Sequence, residues 1–334
     1  MRLFIISLFT IILNTTVFSQ GCCSGGAGSP IAGGAATGVL QENQMEISIN
    51  YQNNSSNKFF AENRDTTSLF NNLNSDYLFF RVDYGLSKKL TLSVASGYFL
   101  DKSKIGKDNS DTISSTGVGD LIIFPRYSIY NKTANFKRTA VVIGLGLKIP
   151  LGSHNDTTNL GSYGIDNYQM NPPMLQVTNG SQDLMFNSFF FREYQKSKLR
   201  LFISSLYVKK GYNSLGVKYG DYTSVGFFAS KTFFYRWGVT AQLKAEKIDQ
   251  IKVANNIKEW DLLEYSITPE STGSKKWFFI PQLSYSKKGI TVFVTSEIPL
   301  YQYLNGTQIG SQNQFTVGVN YRFLTKKCED PTLN

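Results

Sequence analysis

Residues 314–324, QFTVGVNYRFL, carry the clearest strand pattern in this chain of 334 residues. Between Phe315 and Phe323, apolar residues occupy every second position, and polar residues or glycine occupy the positions between them. Successive side chains of a β-strand point to opposite faces, so this spacing predicts a strand with one apolar and one polar face. The same alternation begins at Gln44 and recurs along the chain as far as Leu324.

Twelve segments show this alternation, and their lengths cluster near the roughly 9–11 residues with which a tilted strand crosses a bilayer. They are residues 43–53, 75–86, 89–100, 117–131, 138–150, 181–193, 198–210, 222–234, 236–247, 275–287, 289–300 and 314–324. Short connections alternate with long polar ones, which are residues 54–74, 101–116, 151–180, 211–221, 248–274 and 301–313. This rhythm predicts an all-β fold, a 12-stranded antiparallel transmembrane β-barrel with short periplasmic turns and long extracellular loops.

The amino-acid composition favours a membrane barrel over a soluble β-sandwich or lipocalin-like barrel, whose strands would also alternate. The chain has 25 Phe, 19 Tyr and 3 Trp, many of them near the ends of the predicted strands, as interfacial aromatic girdles require. A single His and 3 Cys exclude a zinc-finger array and a disulfide-dense scaffold. The formal net charge is +10, but no basic stripe lies on a predicted face, so we expect no nucleic-acid partner.

The N-terminus indicates export. Residues 1–19 have a positive start, an apolar stretch and small residues at a cleavage position, which predicts a signal peptide. Residues 20–42 form a leader rich in Gly and Ala, interpreted as a flexible arm or a lumen strap. Residues 43–324 form the barrel, and residues 325–334 form a periplasmic tail. The expected location is the outer membrane of a Gram-negative bacterium.

The leader contains the adjacent pair Cys22-Cys23, for which three interpretations remain open. One of the two could form a disulfide with Cys328, which an exported protein permits. Cys22 could instead carry a lipid, although an aliphatic residue three places earlier is missing. The pair could also capture a soft metal or anchor a periplasmic protein partner. The sequence predicts no cofactor.

Three glycine-rich motifs carry a family resemblance. Residues 117–121 read GVGDL and lead to Tyr127, residues 144–152 read GLGLKIPLG, and residues 299–308 read PLYQYLNGTQ. These motifs resemble the outer-membrane transporter-like family named after the meta-pathway of phenol degradation, a relative of the long-chain fatty-acid transporter barrels. The resemblance spans the second to twelfth predicted strands. It implies a pore or channel for small molecules, hydrophobic ones included, embedded in outer-membrane lipid. The Cys-Cys leader and the cysteine-containing tail depart from the family pattern.

Placing the polar face of each strand inward predicts ten charged residues that line the lumen. They are Glu46, Arg81, Asp83, Asp120, Arg126, Lys148, Lys244, Glu246, Glu297 and Arg322. Acids and bases are equal in number, whereas a charge-selective ring needs an excess of one sign. We therefore expect a paired network, with Arg322 facing Glu46 and Asp120 facing Lys148 across neighbouring strands.

The sequence predicts a channel or transporter for a small-molecule solute rather than an enzyme. The alternative is a metal-handling or partner-binding barrel that uses Cys22 and Cys23. A barrel hydrolase is less favoured, because the single histidine, His154, lies in a predicted loop beside Ser153, and adjacency in sequence does not give catalytic geometry.

Overall fold

The structure, a computed structural model, describes residues 38–107, 112–159, 166–258, 261 and 267–326. The predicted fold is confirmed, because a 12-strand antiparallel barrel closes on itself. Its strands are β1 (Gln44–Ser56), β2 (Asn72–Gly85), β3 (Leu90–Ile105), β4 (Asp120–Ala134), β5 (Lys137–Pro150), β6 (Asp183–Tyr194), β7 (Leu199–Lys209), β8 (Tyr222–Phe233), β9 (Trp237–Ile248), β10 (Ser274–Lys287), β11 (Ile290–Ile309) and β12 (Gln314–Leu324). A segment at Thr112–Val118, separated from β4 by Gly119, pairs with the outer part of β3.

The first and last strands close the barrel. β1 pairs antiparallel with β12 from Gln44 opposite Leu324 to Asn54 opposite Gln314. The start of β1, the end of β12 and the short turns therefore share one end of the barrel, which is the periplasmic end of an outer-membrane protein. The long connections lie at the other, extracellular end.

The structure corrects two of the predicted long loops. In place of loop 101–116, β3 continues to Ile105 and pairs with Thr112–Val118. In place of loop 301–313, β11 continues to Ile309 and pairs with a short strand, Phe59–Glu62, taken from loop 54–74. Above the bilayer the outer face need not be apolar, so the alternation stops while the backbone pairing continues. A prediction based on hydrophobic alternation therefore places the ends of these strands too early.

The outer face of the barrel is an apolar belt. In β12 the outward residues Phe315, Val317 and Val319 are 53%, 49% and 42% exposed, whereas the inward Thr316 and Asn320 are 1% and 2% exposed. The same contrast recurs around the barrel, as in Ile49 of β1 and Leu243 of β9, which are both exposed. A continuous belt of this kind requires lipid around it, and a closed barrel leaves no unpaired strand edge there. The chain is accordingly an outer-membrane protein of the Gram-negative type.

Among the residues that the structure describes, no helix is long and apolar enough to span a bilayer.

The lumen contains apolar as well as polar layers, which the polar-inward assignment did not anticipate. One buried cluster, here called the upper apolar cluster, comprises Phe79, Ala95, Ile122, Phe124, Met185, Leu206 and Val208. A second, the lower apolar cluster, comprises Val142, Phe189, Phe202 and Phe228 and lies nearer the periplasmic turns. The Phe124 ring lies against Gly144 and Gly146, where a Cβ atom on either glycine would overlap it. These inward glycines make room for a large ring inside the barrel.

Candidate functional site

The candidate site is the lumen, and its periplasmic half contains a buried charge network. Arg81 contacts Asp83 at 2.8 Å and Glu46 at 3.2 Å, and Arg126 contacts Asp83 at 3.0 Å. Arg322 contacts Glu46 at 2.5 Å across the β1–β12 seam, so this predicted ion pair is present. The side chains of Glu46, Arg81 and Asp83 are each 1% exposed. Charges at this depth require such partners, and the network ties β1, β2, β4 and β12 together.

The chain preceding β1 lies inside the barrel. The backbone carbonyl of Gly38 accepts a 2.8 Å hydrogen bond from Nη1 of Arg126, and the amide of Leu40 donates one of 2.8 Å to Oγ1 of Thr91. Leu40 is 4% exposed, and Val39 packs against the lower apolar cluster. The described end of the leader is therefore inside the lumen. Cys22, Cys23 and Cys328, together with residues 1–37 and 327–334, lie outside the described residues.

A second charge network, here called the outer cluster, lies at the extracellular end. Lys148 contacts Asp120 at 2.5 Å, the second predicted ion pair, and Asp183 at 3.4 Å. Lys210 contacts the same oxygen of Asp183, Oδ2, at 2.8 Å. Lys102 donates a 2.7 Å hydrogen bond to the carbonyl of Gln176 and is close enough to interact electrostatically with Asp120 and Lys148.

A third network joins β9 and β11. Lys244 contacts Glu297 at 2.7 Å and Glu246 at 3.2 Å, and Glu246 accepts a 3.2 Å hydrogen bond from the Tyr222 hydroxyl. All ten charged residues named from the sequence are thus buried or half-buried inside the barrel, and each has an ion-pair partner there.

A cavity of about 320 Å³ opens between the outer cluster and β8–β10. Lys148 and Lys210 lie on one side of it, and the rings of Tyr219 and Tyr222 form another part of the wall. Its aliphatic lining includes Val208 of the upper apolar cluster, Ile248 and Ile251. The cavity volume is at the lower end of the range for small-molecule sites, and its lining has the usual mixture of apolar walls with a few polar groups.

Two loop residues of this cavity are strongly affected by burial. Lys210 follows β7, and burial, together with the neighbouring charge of Lys148, lowers its pKa to about 8. Burial raises the pKa of Tyr219 to about 12, so its phenol remains neutral at physiological pH. Lys210 is therefore a cationic group of the cavity wall whose charge changes just above neutral pH.

Sequence reasoning missed several charged residues of the lumen, among them Lys102, Asp183, Lys210 and Lys276. Asp183 belongs to β6, where the inward face also carries Met185 and Phe189, so the polar-face rule gave no signal. Lys210 and Lys276 each follow another lysine, which leaves their facing ambiguous from sequence. Lys102 fell within a predicted loop.

His154 does not form the arrangement that a serine hydrolase needs. Its Nε2 lies 2.8 Å from Oγ of Ser214, while the adjacent Ser153 donates to Asp156 at 2.6 Å. No carboxylate among the described residues holds the other ring nitrogen, which a catalytic histidine needs for orientation. Within the described ranges, no group of three or more His, Cys, Asp and Glu side chains could hold a metal ion.

Comparison with known proteins identifies the fold. No protein-family model matches the chain, and no curated protein sequence matches it. Among solved structures, an outer membrane channel from Pseudomonas putida F1 superposes with a TM-score of 0.61 at 11% identity, covering 86% of this chain and 97% of that one. The KdgM porin, solved in complex with disordered oligogalacturonate, gives a TM-score of 0.42 at 11% identity, covering 83% and 99%. The NanC porin gives 0.43 at 11%, covering 83% and 98%.

Proposed function

We propose that the barrel is an outer-membrane channel for small solutes that combine polar and apolar parts. The observation that carries this proposal is the layering of the lumen. From the outside inward, a solute would meet a cavity bordered by lysines and then the upper apolar cluster. In the periplasmic half it would meet the lower apolar cluster and the charge network around Glu46 and Arg81, which lie beside each other. An uncharged sugar gains little binding free energy from buried apolar side chains, whereas a partly hydrophobic solute is stabilised by contact with them.

Two further observations support transport rather than catalysis. Among the residues that the structure describes, no carboxylate orients His154 in its contact with Ser214. The ten charged side chains predicted from sequence pair with one another or with acids such as Asp183. The P. putida structure, which superposes with a TM-score of 0.61, is described as an outer membrane channel. We also propose that the chain is a divergent member of the transporter-like family that its glycine-rich motifs resemble.

We propose further that residues 1–19 are removed as a signal peptide and that the leader regulates access through the lumen. The support is the position of Gly38 and Leu40, which are bound inside the barrel by Arg126 and Thr91. Gly38 and Leu40 themselves occupy part of the lumen, which is where a strap formed by the leader would act.

Liposome swelling tests both proposals. Mature full-length protein is compared with a variant lacking residues 20–37, which keeps the contacts of Gly38 and Leu40, and with one lacking residues 20–42. Arabinose and sodium phenylacetate serve as the solutes. We expect measurable swelling with phenylacetate and faster swelling after either deletion. If all three proteins are folded and impermeable, the channel function fails; if they swell equally fast, the leader has no regulatory role.

A further inference from the structure

We infer that the outer cavity is a binding site for an amphipathic monocarboxylate, a solute with one carboxylate and a compact apolar body. This inference rests on the proposed channel function and specifies the solute class that the channel selects.

The first observation is an excess of positive charge. In the outer cluster, the ammonium groups of Lys102, Lys148 and Lys210 are accompanied by the carboxylates of Asp120 and Asp183. Three cations therefore share two anions in a largely buried setting, where the Lys148 and Lys210 side chains are 11% and 12% exposed. An uncompensated buried charge is unfavourable, and one bound anion would neutralise it.

The second observation is that the excess positive charge is accessible from the cavity. Lys148 and Lys210 line the cavity itself, so an entering carboxylate can reach both ammonium groups. Lys148 is already held by Asp120 at 2.5 Å, which leaves Lys210, with its single carboxylate partner, as the stronger attachment point. The Asp249 carboxylate also lies near the cavity, but Lys247 neutralises it at 2.7 Å on the exposed side.

The remaining wall is suited to an apolar body. Val208, Ile248 and Ile251 supply aliphatic surface, and Tyr219 and Tyr222 supply ring faces or edges. Tyr222 is held by Glu246 at 3.2 Å, so its ring position is fixed. The cavity volume of about 320 Å³, the liquid volume of about ten water molecules, is sufficient for a single-ring or short-chain acid. A cationic solute of the same size would meet two ammonium groups.

The test uses purified full-length protein in detergent and three fluorinated probes that differ in one group. They are 4-fluorophenylacetate, 2-(4-fluorophenyl)ethanol and 2-(4-fluorophenyl)ethylamine, and ¹⁹F line broadening reports their binding, with empty micelles as the blank. We expect the acid to bind about tenfold more tightly than the alcohol or the amine, as a charge-assisted hydrogen bond implies. Lys210→Met should weaken acid binding by a similar factor, whereas Lys210→Arg should retain it.

Lys107→Met is the matched control, because Lys107 is exposed at the same end of the barrel and does not line the cavity. It should leave acid binding unchanged, whereas Tyr219→Ala should weaken the acid and the alcohol alike. Equal affinity for acid and alcohol, or an unchanged affinity in folded Lys210→Met, overturns the inference. Swelling with phenylacetate but no binding of 4-fluorophenylacetate refutes this site and leaves the channel function intact. Binding of 4-fluorophenylacetate without swelling refutes the channel function alone.

Discussion

Replacing Asp183 with asparagine should destabilise the barrel through the outer cluster. Asp183 is 0% exposed, and its Oδ2 accepts from Lys210 at 2.8 Å and lies 3.4 Å from Lys148. Its Oδ1 accepts from Ser181 at 2.7 Å and from the amide of Gly211 at 3.2 Å. Asparagine retains an oxygen for these two neutral donors but removes the charge that faces the lysines.

The expected loss follows from these contacts. One charge-assisted hydrogen bond, to Lys210, is lost outright, and such bonds contribute about 1.5–3 kcal/mol. The Lys148 contact is longer, and Asp120 continues to hold that lysine at 2.5 Å. We therefore expect a decrease of about 2–3 kcal/mol in the free energy of unfolding, below the roughly 3–5 kcal/mol of a fully buried broken pair, because Lys210 borders a cavity.

Guanidinium unfolding in phospholipid vesicles, followed by tryptophan fluorescence, measures this change. A second substitution, Lys210→Met, should recover most of the loss, because removing both partners leaves no unpaired buried charge. Asp249→Asn, in an exposed pair with Lys247, should leave stability unchanged within error. The reasoning is refuted if Asp183→Asn unfolds at the wild-type midpoint or if the double variant is no more stable than the single one.

Three further predictions concern the rest of the barrel. Gly146→Ala should lower the free energy of unfolding by about 1–3 kcal/mol, because its Cβ would overlap the Phe124 ring in a packed lumen; the same vesicle assay measures this. Raising the pH from 7 to 9.5 should reduce anion preference, because Lys210, with a pKa of about 8, loses its charge; the reversal potential in a KCl gradient measures this. Replacing Phe234-Tyr235 with Asn-Gly should raise stability by about 1 kcal/mol, because both residues have a positive φ in a periplasmic turn; the guanidinium midpoint measures this.

Each of these has a control and a contradicting outcome. Gly119→Ala should be tolerated better than Gly146→Ala, because the nearest atom to its Cβ would be at 3.4 Å; equal losses would argue against ring overlap. Lys210→Arg should reduce the pH response between 7 and 9.5, and an undiminished response would assign it to another group, such as Lys102. The turn replacement also removes the contact of Lys198 with the Tyr235 ring, at 3.4 Å. A net destabilisation would mean that this contact outweighs the backbone strain.

The fold could be predicted from sequence because lipid imposes the pattern. Wherever β12 and β1 face the bilayer, alternation is strict, and it also sets their register, with Arg322 opposite Glu46 as expected. Outside the bilayer that constraint disappears, so the extensions of β3 to Ile105 and of β11 to Ile309 had no hydrophobic signal.

The interior was only partly predictable. Lipid requires apolar residues all over the outer face, whereas each lumen residue must fit the particular side chains that surround it. Phe124 is inward because Gly144 and Gly146 face it from β5, a match that no single strand reveals. The role of Asp183 likewise depends on its ion-pair partners, Lys148 and Lys210, which lie on flanking segments. The cavity arises only when β5, β7, β8 and β9 are brought together, so its lining could not be assembled from strand patterns.

The β1–β12 seam makes the barrel a ring in which no strand is structurally first. Gln44 lies opposite Leu324, and Thr325 donates a 2.8 Å backbone hydrogen bond to the carbonyl of Asn43, so the first and last strands of the barrel meet as in a hairpin. The junction resembles the other periplasmic turns, except that no turn joins the two strands covalently. Circular permutation, with a short linker across the seam and new termini in an extracellular loop, would preserve every strand pair. Until β12 arrives, however, β1 and β11 each present an unpaired edge, so assembly of the natural chain is completed by its final strand.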